Sequence, residues 1–574
     1  MNLNRLTLVI LVLIFNNELA IAQLANRFDI LITEIFPDPT PPVGLPQNEF
    51  IEIQNVSGVG YNLKDWKLGD GSSVTSISIN YILDPDSIVI ICTNSAVSLF
   101  SSLGNTIVVS NFPSLDNEAD MIYLQSREGT IIHAVSYNKN WYQNDLKANG
   151  GWSLEMIDTN NPCGGITNWK SSINNAGGTP GKKNSVDGKN KDETAPALLR
   201  SFGIDSVTIV TVFDEAMDST SAATSSNYVL QGIPNSPFLA IPLSPLYTEV
   251  ILKFPKPLSD NTVYDLSVTN VSDCAGNLIG PINRSKTGLP SLTDTFDIII
   301  NEILFNPKSD GFDFIELYNK SKKIIDLQYL YIASRKITGA IEDIKKLSDK
   351  PYLLFPGEYL AFTENVQWLK QNYIVKNPAT LIELPSLPSM PDDKGNPILL
   401  NQQGKMIDEL WYDSKWHFAL INNNEGISLE RIDYSGPTQI KNNWTSAAST
   451  AGFATPGYQN SQFRTDLQMQ GVISIEPKIF SPDNDGFDDL AIIQYKMTTP
   501  GYVANITIFD ANGRPVRYFV KNATLALEGK FRWDGLDDKL QQLPVGIYIV
   551  FTEVFNLKGK TKRFKNVVTL ARRF

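Results

Sequence analysis

The sequence contains little histidine and little cysteine: 2 His and 3 Cys in 574 residues. Ser-His-Asp and Cys-His catalysis both require a histidine, and neither an H-E-x-x-H nor a G-x-S-x-G segment is present. The glycine motifs G-x-x-x-x-G-K-[ST] and G-x-G-x-x-G, which bind phosphate groups, do not occur either. We therefore predict that the protein is not an enzyme, although its many carboxylates leave a glycosidase-type acid pair open by number alone.

The cysteines are too few and too scattered for a disulfide framework or a zinc site with paired ligands. They stand at Cys92, Cys163 and Cys274. We expect three buried thiols. The alternative is a single disulfide between Cys92 and Cys163, which lie in the same predicted domain.

Positive charge and long apolar runs are also scarce. Lys and Arg number 49 against 61 Asp and Glu, for a formal net charge of −12. This balance argues against nonspecific capture of nucleic acid, which depends on clustered basic residues. Beyond the N-terminus no run reaches the roughly 18 apolar residues of a spanning helix. We expect no transmembrane segment in the mature chain.

The N-terminus has the pattern of a secretory signal peptide over residues 1–22. Arg5 precedes an apolar run at residues 6–15, and Ala20 and Ala22 form a small-x-small cleavage site. We expect cleavage after Ala22 and a location outside the cell or on its outer surface; an uncleaved signal anchor is the alternative. No cysteine follows the cleavage site to carry a lipid.

Proline and glycine, by contrast, are frequent, with 33 and 37 residues, and aromatic residues make up 10%. This composition favours short strands joined by tight turns. At about 150 residues per domain the length corresponds to roughly four domains. We predict an all-β protein.

The chain carries an internal duplication. FDILITEIFPDP at residue 28 recurs as FDIIINEILFNP at residue 296, and four further blocks follow in the same order. The paired blocks are NEFIEIQNVS with FDFIELYNKS, GWSLEMID with GISLERID, NWKS with NWTS, and GTPGKKN with ATPGYQN. Near-alternating apolar residues bounded by Pro, Asn and Gly predict that the first two blocks are strands.

Two residue types recur within these blocks. Trp169 and Trp444 precede the TPG turns, and we interpret them as core residues, with stacking against a sugar as the alternative. Two glutamates also recur in the strand blocks. We expect them to face solvent or to hold neighbouring loops, because no third catalytic group recurs with them. They are Glu34 and Glu52 in the first copy, and Glu302 and Glu316 in the second.

The order ILITEI, NEFIEIQN, GWSLEMID, NWKS, GTPGKKN resembles the lamin tail domain of secreted bacterial proteins. The resemblance covers residues 28–184 and 296–460, over half of the chain. It implies an immunoglobulin-like β-sandwich and a role in binding or tethering, often beside a separate hydrolase or nuclease. The fold class expected for the whole chain is tandem immunoglobulin-like β-sandwiches, arranged as beads on a string.

The segment at residues 195–290 follows a polar linker and resembles the Ig-like domain of bacterial surface-layer and adhesin proteins. Its alternating strand at residues 207–213 leads into acidic residues, and it closes with YDLSVTNVSDCAGN. A solvated loop is the ordinary role of these acids, and calcium binding is the alternative. The acids are Asp214, Glu215 and Asp218.

The last unit, residues 471–574, opens with an acidic turn in PKIFSPDNDGFDDLAIIQYKM. Asp483, Asp485, Asp488 and Asp489 surround Gly486. Calcium takes several oxygen ligands from short acidic loops, so this spacing suggests a calcium site. It is not an EF-hand, because the bidentate Glu is absent. An Asx-rich turn that caps a strand is the alternative.

The same unit resembles the Ig-like domains at the C-termini of type IX secretion cargo and gliding-motility-associated proteins. SPDNDGFDD is similar to their P-N-x-D-G-x-N-D opening, with Asp488 where Asn is usual. The resemblance implies a sorting domain that engages the secretion machinery.

These observations together predict a non-catalytic secreted or cell-surface protein that binds a surface or extracellular-matrix component. No cofactor is required, although calcium is a candidate. One alternative is a calcium-dependent adhesin. The other is an accessory that tethers nucleic acid for a secreted nuclease or hydrolase, against which the acidity of the chain counts.

Overall fold

The computed structural model describes residues 24–233, 237–421, 423–463, 472–557 and 561–572. Strands make up 39% of the chain and helices 8%. The predicted class, all-β with tandem immunoglobulin-like sandwiches, is therefore confirmed. None of the helices among these residues is long and apolar enough to cross a membrane. The signal-peptide residues Ala20 and Ala22 lie outside the described residues.

The described residues form two compact units. The first contains the first repeat and most of the segment after it, up to Lys286. The second runs from Thr287 onward and also takes up residues 202–206 and 258–264.

The first repeat is built on a six-stranded sheet of order β12-β11-β1-β2-β7-β8 and a four-stranded sheet of order β10-β9-β4-β5. A short helix, α1, spans Val97–Phe100. The strands are β1 Ile30–Phe36, β2 Phe50–Asn55, β3 Tyr61–Asn62, β4 Lys67–Gly69, β5 Val74–Ser76, β6 Ile82–Leu83, β7 Ile88–Cys92, β8 Thr106–Val108, β9 Ala119–Gln125, β10 Ile131–Asn138, β11 Leu154–Met156 and β12 Trp169–Ser171.

Strand β1 is buried along its whole length, which explains why its sequence is almost continuously apolar. One of its faces contributes Ile30, Ile32 and Ile35 to the main core. On the other side of the sheet, Phe36 joins a smaller cluster around Phe100 of α1. The strand is therefore the centre of the domain.

The following segment pairs two smaller sheets, of order β13-β14-β17-β16 and β15-β18-β19. Helix α2 spans Ser219–Ala222, where the Asp218 side chain accepts a hydrogen bond from the Ser221 amide. The strands are β13 Leu198–Asp205, β14 Thr208–Phe213, β15 Tyr228–Leu230, β16 Leu239–Pro242, β17 Glu249–Lys253, β18 Tyr264–Val268 and β19 Arg284–Thr287.

The second repeat has the same main sheet, of order β33-β32-β20-β21-β26-β27. In both repeats the last pair of this sheet is parallel. Helix α3 spans Val366–Asn372. The strands are β20 Ile298–Leu304, β21 Phe314–Asn319, β22 Ile325–Asp326, β23 Leu330–Arg335, β24 Ile341–Lys346, β25 Leu353–Leu354, β26 Tyr359–Thr363, β27 Leu381–Glu383, β28 Lys394–Gly395, β29 Pro397–Asn401, β30 Met406–Glu409, β31 Tyr412–Asp413, β32 Leu429–Arg431 and β33 Trp444–Ser446.

The C-terminal domain packs sheets of order β34-β36-β39 and β35-β41-β40-β37-β38 around Trp533. Its strands are β34 Val472–Glu476, β35 Ile479–Phe480, β36 Ala491–Lys496, β37 Tyr502–Asp510, β38 Pro515–Thr524, β39 Glu528–Trp533, β40 Gly546–Asn556 and β41 Thr561–Leu570. Single 3₁₀ turns elsewhere span Lys139–Tyr142, Lys147–Asn149, Gly165–Asn168, Ser225–Asn227, Leu327–Tyr329, Pro378–Thr380, Ser414–Trp416, Lys441–Asn443 and Ser449–Ala451.

Candidate functional site

The acidic turn of the C-terminal domain lies between β35 and β36. Asp483, Asp485 and Asp489 each bring one carboxylate oxygen into a group whose members all lie within 4.8 Å of one another. Asp483 and Asp485 are exposed, and Asp489 is half-buried. Three convergent carboxylates are a ligand set that a hard cation such as calcium accepts.

Asp488, the fourth predicted ligand, does not belong to this group. Its backbone lies in the left-handed region, with φ of 52°. The Asp489 carboxylate also accepts hydrogen bonds from the amides of Asn484 and Gly486, at 2.6 and 2.8 Å. The turn thus has the hydrogen bonding of an Asx-rich cap, and it aligns three of its four acids toward one point.

The recurring glutamates form a buried cluster in each repeat. In the first repeat, Glu34 on β1 is paired across the sheet with Glu52 on β2 and with Glu155 on β11. We call these three residues the first glutamate triad. All three side chains are fully buried. The expectation that Glu34 and Glu52 face solvent is therefore wrong.

The first triad holds the closing segment, residues 177–186, against the main sheet. Glu34 accepts hydrogen bonds from the Ser153 hydroxyl and the Thr179 amide, and Glu52 accepts one from the Gly181 amide. Glu155 accepts from the Thr179 hydroxyl at 2.9 Å, and also from the Ser185 hydroxyl and the Val186 amide. The second half of the prediction, that the glutamates hold neighbouring loops, is confirmed.

The second triad, Glu302, Glu316 and Glu430, repeats this arrangement on β20, β21 and β32. Its closing segment is residues 453–462. Glu302 accepts from the Thr455 amide at 2.9 Å and from the Ser428 hydroxyl, and Glu316 accepts from the Gly457 amide at 2.6 Å. The duplicated sequence therefore produces a duplicated hydrogen-bond network.

Burial shifts the acidity of both triads. It raises the pKa of Glu34 to about 8, with a further contribution from Glu155, and it raises the pKa of Glu302 to about 8, with a further contribution from Glu430. Burial raises the pKa of Glu430 to about 7. Carboxyl groups that are desolvated beside one another hold their protons into the neutral range.

A third carboxylate does recur with the other two, contrary to the sequence-based expectation. It is Glu155 in SLEMID and Glu430 in SLERID. The SLE block was visible as a repeat, but only the strand order places it beside β1. All three acids are nevertheless fully buried in each repeat, and each accepts at least one hydrogen bond from the closing segment, which separates them from solvent.

Both histidines are buried within the fold. His133 accepts a hydrogen bond from the Ile32 amide through Nδ1 and contacts the Pro162 carbonyl through Nε2, both at 2.9 Å. Burial lowers the pKa of His133 and that of His417 to about 4, so both rings are neutral at pH 7. In the second repeat, Asp408 replaces His133 and accepts from the Ile300 amide at 2.9 Å.

The recurring tryptophans belong to the cores, as predicted. Trp169 is 1% exposed and Trp444 is 3% exposed. The alternative reading of these side chains, stacking against a sugar, is wrong because no ring face reaches the surface.

The cysteine expectation is wrong. A disulfide joins Cys163 of the first repeat to Cys274 of the segment at residues 195–290, with 6.4 Å between their Cα atoms, and Cys92 is a buried free thiol. The two cysteines are 111 residues apart in the sequence, and no sequence pattern indicates that they pair. Only the contact between the two domains places the sulfur atoms together.

Thiol counting tests this pairing directly. Under denaturing, non-reducing conditions we expect one thiol per chain to react with maleimide, and three after reduction, because two of the three cysteines form the bond. Peptide mapping should assign the single reactive thiol to Cys92. Three thiols without reductant, from protein kept in an oxidising buffer, would contradict the assignment.

A second acidic group lies beside this disulfide. Asp192, Glu215 and Asp273 each place one oxygen within 4.8 Å of the others. Burial raises the pKa of Glu215 to about 8, and Asp273 and Asp192 contribute further. Of the acids noted in the sequence, Glu215 belongs to this group, whereas Asp218 caps α2.

Comparison with known families shows that the Lamin Tail Domain family matches residues 23–139. This range covers most of the first repeat's strands and is a minor part of the chain. The resemblance of the second repeat to the same family, and that of the C-terminal domain to secretion-associated domains, stay predictions. No curated protein matches the chain.

Several solved structures show remote similarity. The N-terminal part of the bacterial S-layer protein SbsC is 13% identical, with a TM-score of 0.16, over 30% of this chain and 41% of that one. A DUF4876 family protein from Bacteroides thetaiotaomicron is 12% identical, with a TM-score of 0.18, over 48% and 94%. A calcium-stabilised, ice-binding adhesin of an Antarctic bacterium is 8% identical, with a TM-score of 0.12, over 95% and 100%.

Proposed function

We propose that this chain is a non-catalytic secreted or cell-surface protein whose lamin-tail-like modules bind or tether a surface component. The observation that carries the proposal is that both glutamate triads hold the closing segments of their own domains. These glutamates recur at matched positions of the two repeats, and they are buried and hydrogen-bonded to the closing segments. A repeated structure that holds its own loops in place suits a scaffold better than a reaction site.

The lamin tail match at residues 23–139 supports this reading, because the family resemblance implies binding and tethering. Export through a cleaved signal peptide and sorting through the C-terminal domain complete the proposal. The intact mass of the protein from fractionated cells tests both points. A mass that begins after Ala22, in the outer-surface or extracellular fraction, is the expected result.

Sedimentation with cell envelopes tests the binding role. The purified mature chain should pellet with envelopes from its host and should remain in the supernatant with liposomes that lack envelope components. DNA offered at low salt distinguishes the nucleic-acid-tethering alternative, which a net charge of −12 disfavours. Absence of envelope binding together with a cytoplasmic location would refute the proposed function.

A calcium-dependent adhesin is the second candidate, favoured by the convergence of Asp483, Asp485 and Asp489. Asp483→Asn removes one negative charge from the ligand set at an exposed position, and it replaces one of the two carboxylate oxygens with an amide nitrogen. We expect it to weaken calcium binding about tenfold, because ligand charge sets the affinity of such sites. Isothermal titration with calcium measures the change.

Asp488→Asn is the matched control, since it removes the same charge from the same turn outside the convergent group. It should leave calcium affinity within about twofold of the parent. If calcium and EDTA leave the melting temperature of the parent unchanged, or if both variants lose affinity equally, the turn is only a strand cap.

A further inference from the structure

The second repeat and the C-terminal domain are joined by direct hydrogen bonds. The Ser449 amide donates to the Thr524 hydroxyl at 2.9 Å, and the Leu527 amide donates to the Ser461 carbonyl at 3.1 Å. The Thr450 hydroxyl lies 2.8 Å from the Tyr495 hydroxyl. These bonds hold the walls of the space between the two domains at a set separation.

That space is an open cleft of about 550 Å³. Small-molecule sites usually occupy 300–1,000 Å³ and often lie where domains meet. One wall comes from residues 374–376 and the closing segment of the second repeat, and the other from the ends of β36 and β39. The volume accommodates a short oligomer rather than a folded partner.

The cleft is lined by aromatic rings and lysines. Tyr458 is half-buried on one wall and Tyr495 lies on the other. The Lys376 ammonium stands 3.8 Å from the centre of the Tyr458 ring. An aromatic face beside a cation offers one apolar and one charged contact within a few ångströms.

The charge of the cleft is opposite to that of the chain. Lys376, Lys496 and Lys530 line it against a single carboxylate, that of Glu528, whereas the whole chain carries −12. Lys496 pairs with Glu528 at 3.4 Å. Within the described parts of the chain, the ammonium groups of Lys376 and Lys530 form no hydrogen bond or salt bridge, and Lys376 contacts the Tyr458 ring, so neither charge is neutralised by a carboxylate.

We propose that this cleft binds an acidic saccharide, with its anionic groups at Lys376 and Lys530 and a sugar ring against Tyr458. This inference rests on the proposed binding function and names its ligand class. A sugar ring offers C–H faces to an aromatic ring and hydroxyl groups at its edge. A nucleic acid is disfavoured because a cleft of about 550 Å³ holds only a short segment of it, and because the chain as a whole carries a net charge of −12.

Titration of the full mature chain with defined probes tests the proposal. A sulfated heparin tetrasaccharide and a tetragalacturonate carry the two kinds of anionic group, and cellotetraose is the neutral probe. Either acidic probe should bind, and cellotetraose should bind at least about tenfold more weakly. Which acidic probe binds more tightly identifies the anionic group as sulfate or carboxylate.

Two double variants separate the site from general charge. Lys376→Glu with Lys530→Glu reverses two exposed charges of the cleft and should weaken binding of the acidic probe at least about tenfold. Lys370→Glu with Lys539→Glu makes the same charge change on the same two domains at exposed positions outside the cleft. This control should stay within about twofold of the parent.

Tyr458→Ala should also weaken binding of the acidic saccharide. That result would show that the tyrosine ring contributes to binding in addition to the lysine charges. If neither acidic probe binds at millimolar concentration while envelope binding persists, the ligand class is wrong and the proposed function stands. If the parent does not bind envelopes and is found in the cytoplasm, the proposed function itself is refuted. Preference for a glutamate-rich peptide or for oligothymidine over both saccharides would also overturn the proposal.

Discussion

Arg431→Met is expected to lower the free energy of unfolding of the second repeat by about 3–5 kcal/mol. The Arg431 and Asp408 side chains are both 1% exposed and lie 3.3 Å apart. Burial raises the pKa of Asp408, and Arg431 opposes that rise. Removing the guanidinium leaves a desolvated carboxylate without its countercharge, and it also breaks the bonds from Arg431 to the Ile300 and Gly436 carbonyls.

Hydrogen exchange of the β20 and β32 amides measures this loss within the second repeat. The first repeat supplies the rescue, because Met156 and His133 occupy the positions of Arg431 and Asp408. Asp408→His with Arg431→Met should therefore recover most of the lost stability. Lys370→Met, at an exposed helix position, is the control and should change it by less than about 0.5 kcal/mol. Equal stability of Arg431→Met and the parent would contradict the prediction.

The closing segments are expected to lose stability as pH rises from about 4.5 to about 8. Glu34 and Glu302 have an ordinary pKa of 4.5, which burial in the folded state raises to about 8. Between these values the folded protein holds protons that the unfolded chain has released. Stability is therefore full at the acidic end and falls with pH, by at most about 1.4 kcal/mol per pH unit for each group.

Glu34→Gln should flatten this dependence in the first repeat. The substitution keeps Oε1, which accepts from Ser153 and Thr179, and removes the titration. Hydrogen exchange of the Thr179 and Gly181 amides between pH 5 and pH 9 measures the opening free energy. We expect the variant to match the parent near pH 5, to exceed it increasingly up to about pH 8, and to keep a constant advantage above that pH.

Glu118→Gln is the control for this experiment. Its carboxylate is exposed and bonded to Lys139 at the surface, so the substitution should leave the slope unchanged. A Glu34→Gln variant with the slope of the parent would show that Glu34 does not release a proton in this range.

Much of the fold was predictable because it depends on local patterns. Runs such as ILITEIF and FIEIQN predict strands, and five matched blocks predict two domains of one kind; both repeats have the same six-strand order. Trp169 and Trp444 pack in the cores, as predicted, because burying a large aromatic ring removes much apolar surface from water. For the glutamates, the sequence predicted the contacts with neighbouring loops but not the burial. Strand alternation does not reveal that a loop covers the outer face of a sheet.

The amino-acid sequence by itself determined the all-β class, the duplication and the acidic turn, because strand periodicity, repeated blocks and carboxylate spacing are properties of neighbouring residues. Tertiary structure alone decided which distant groups meet. It brought Glu155 beside Glu34, joined Cys163 to Cys274, paired Arg431 with Asp408 and formed the cleft between Tyr458 and Tyr495. These contacts span tens to more than a hundred residues, and no local pattern encodes which sheet edge or domain surface will face another.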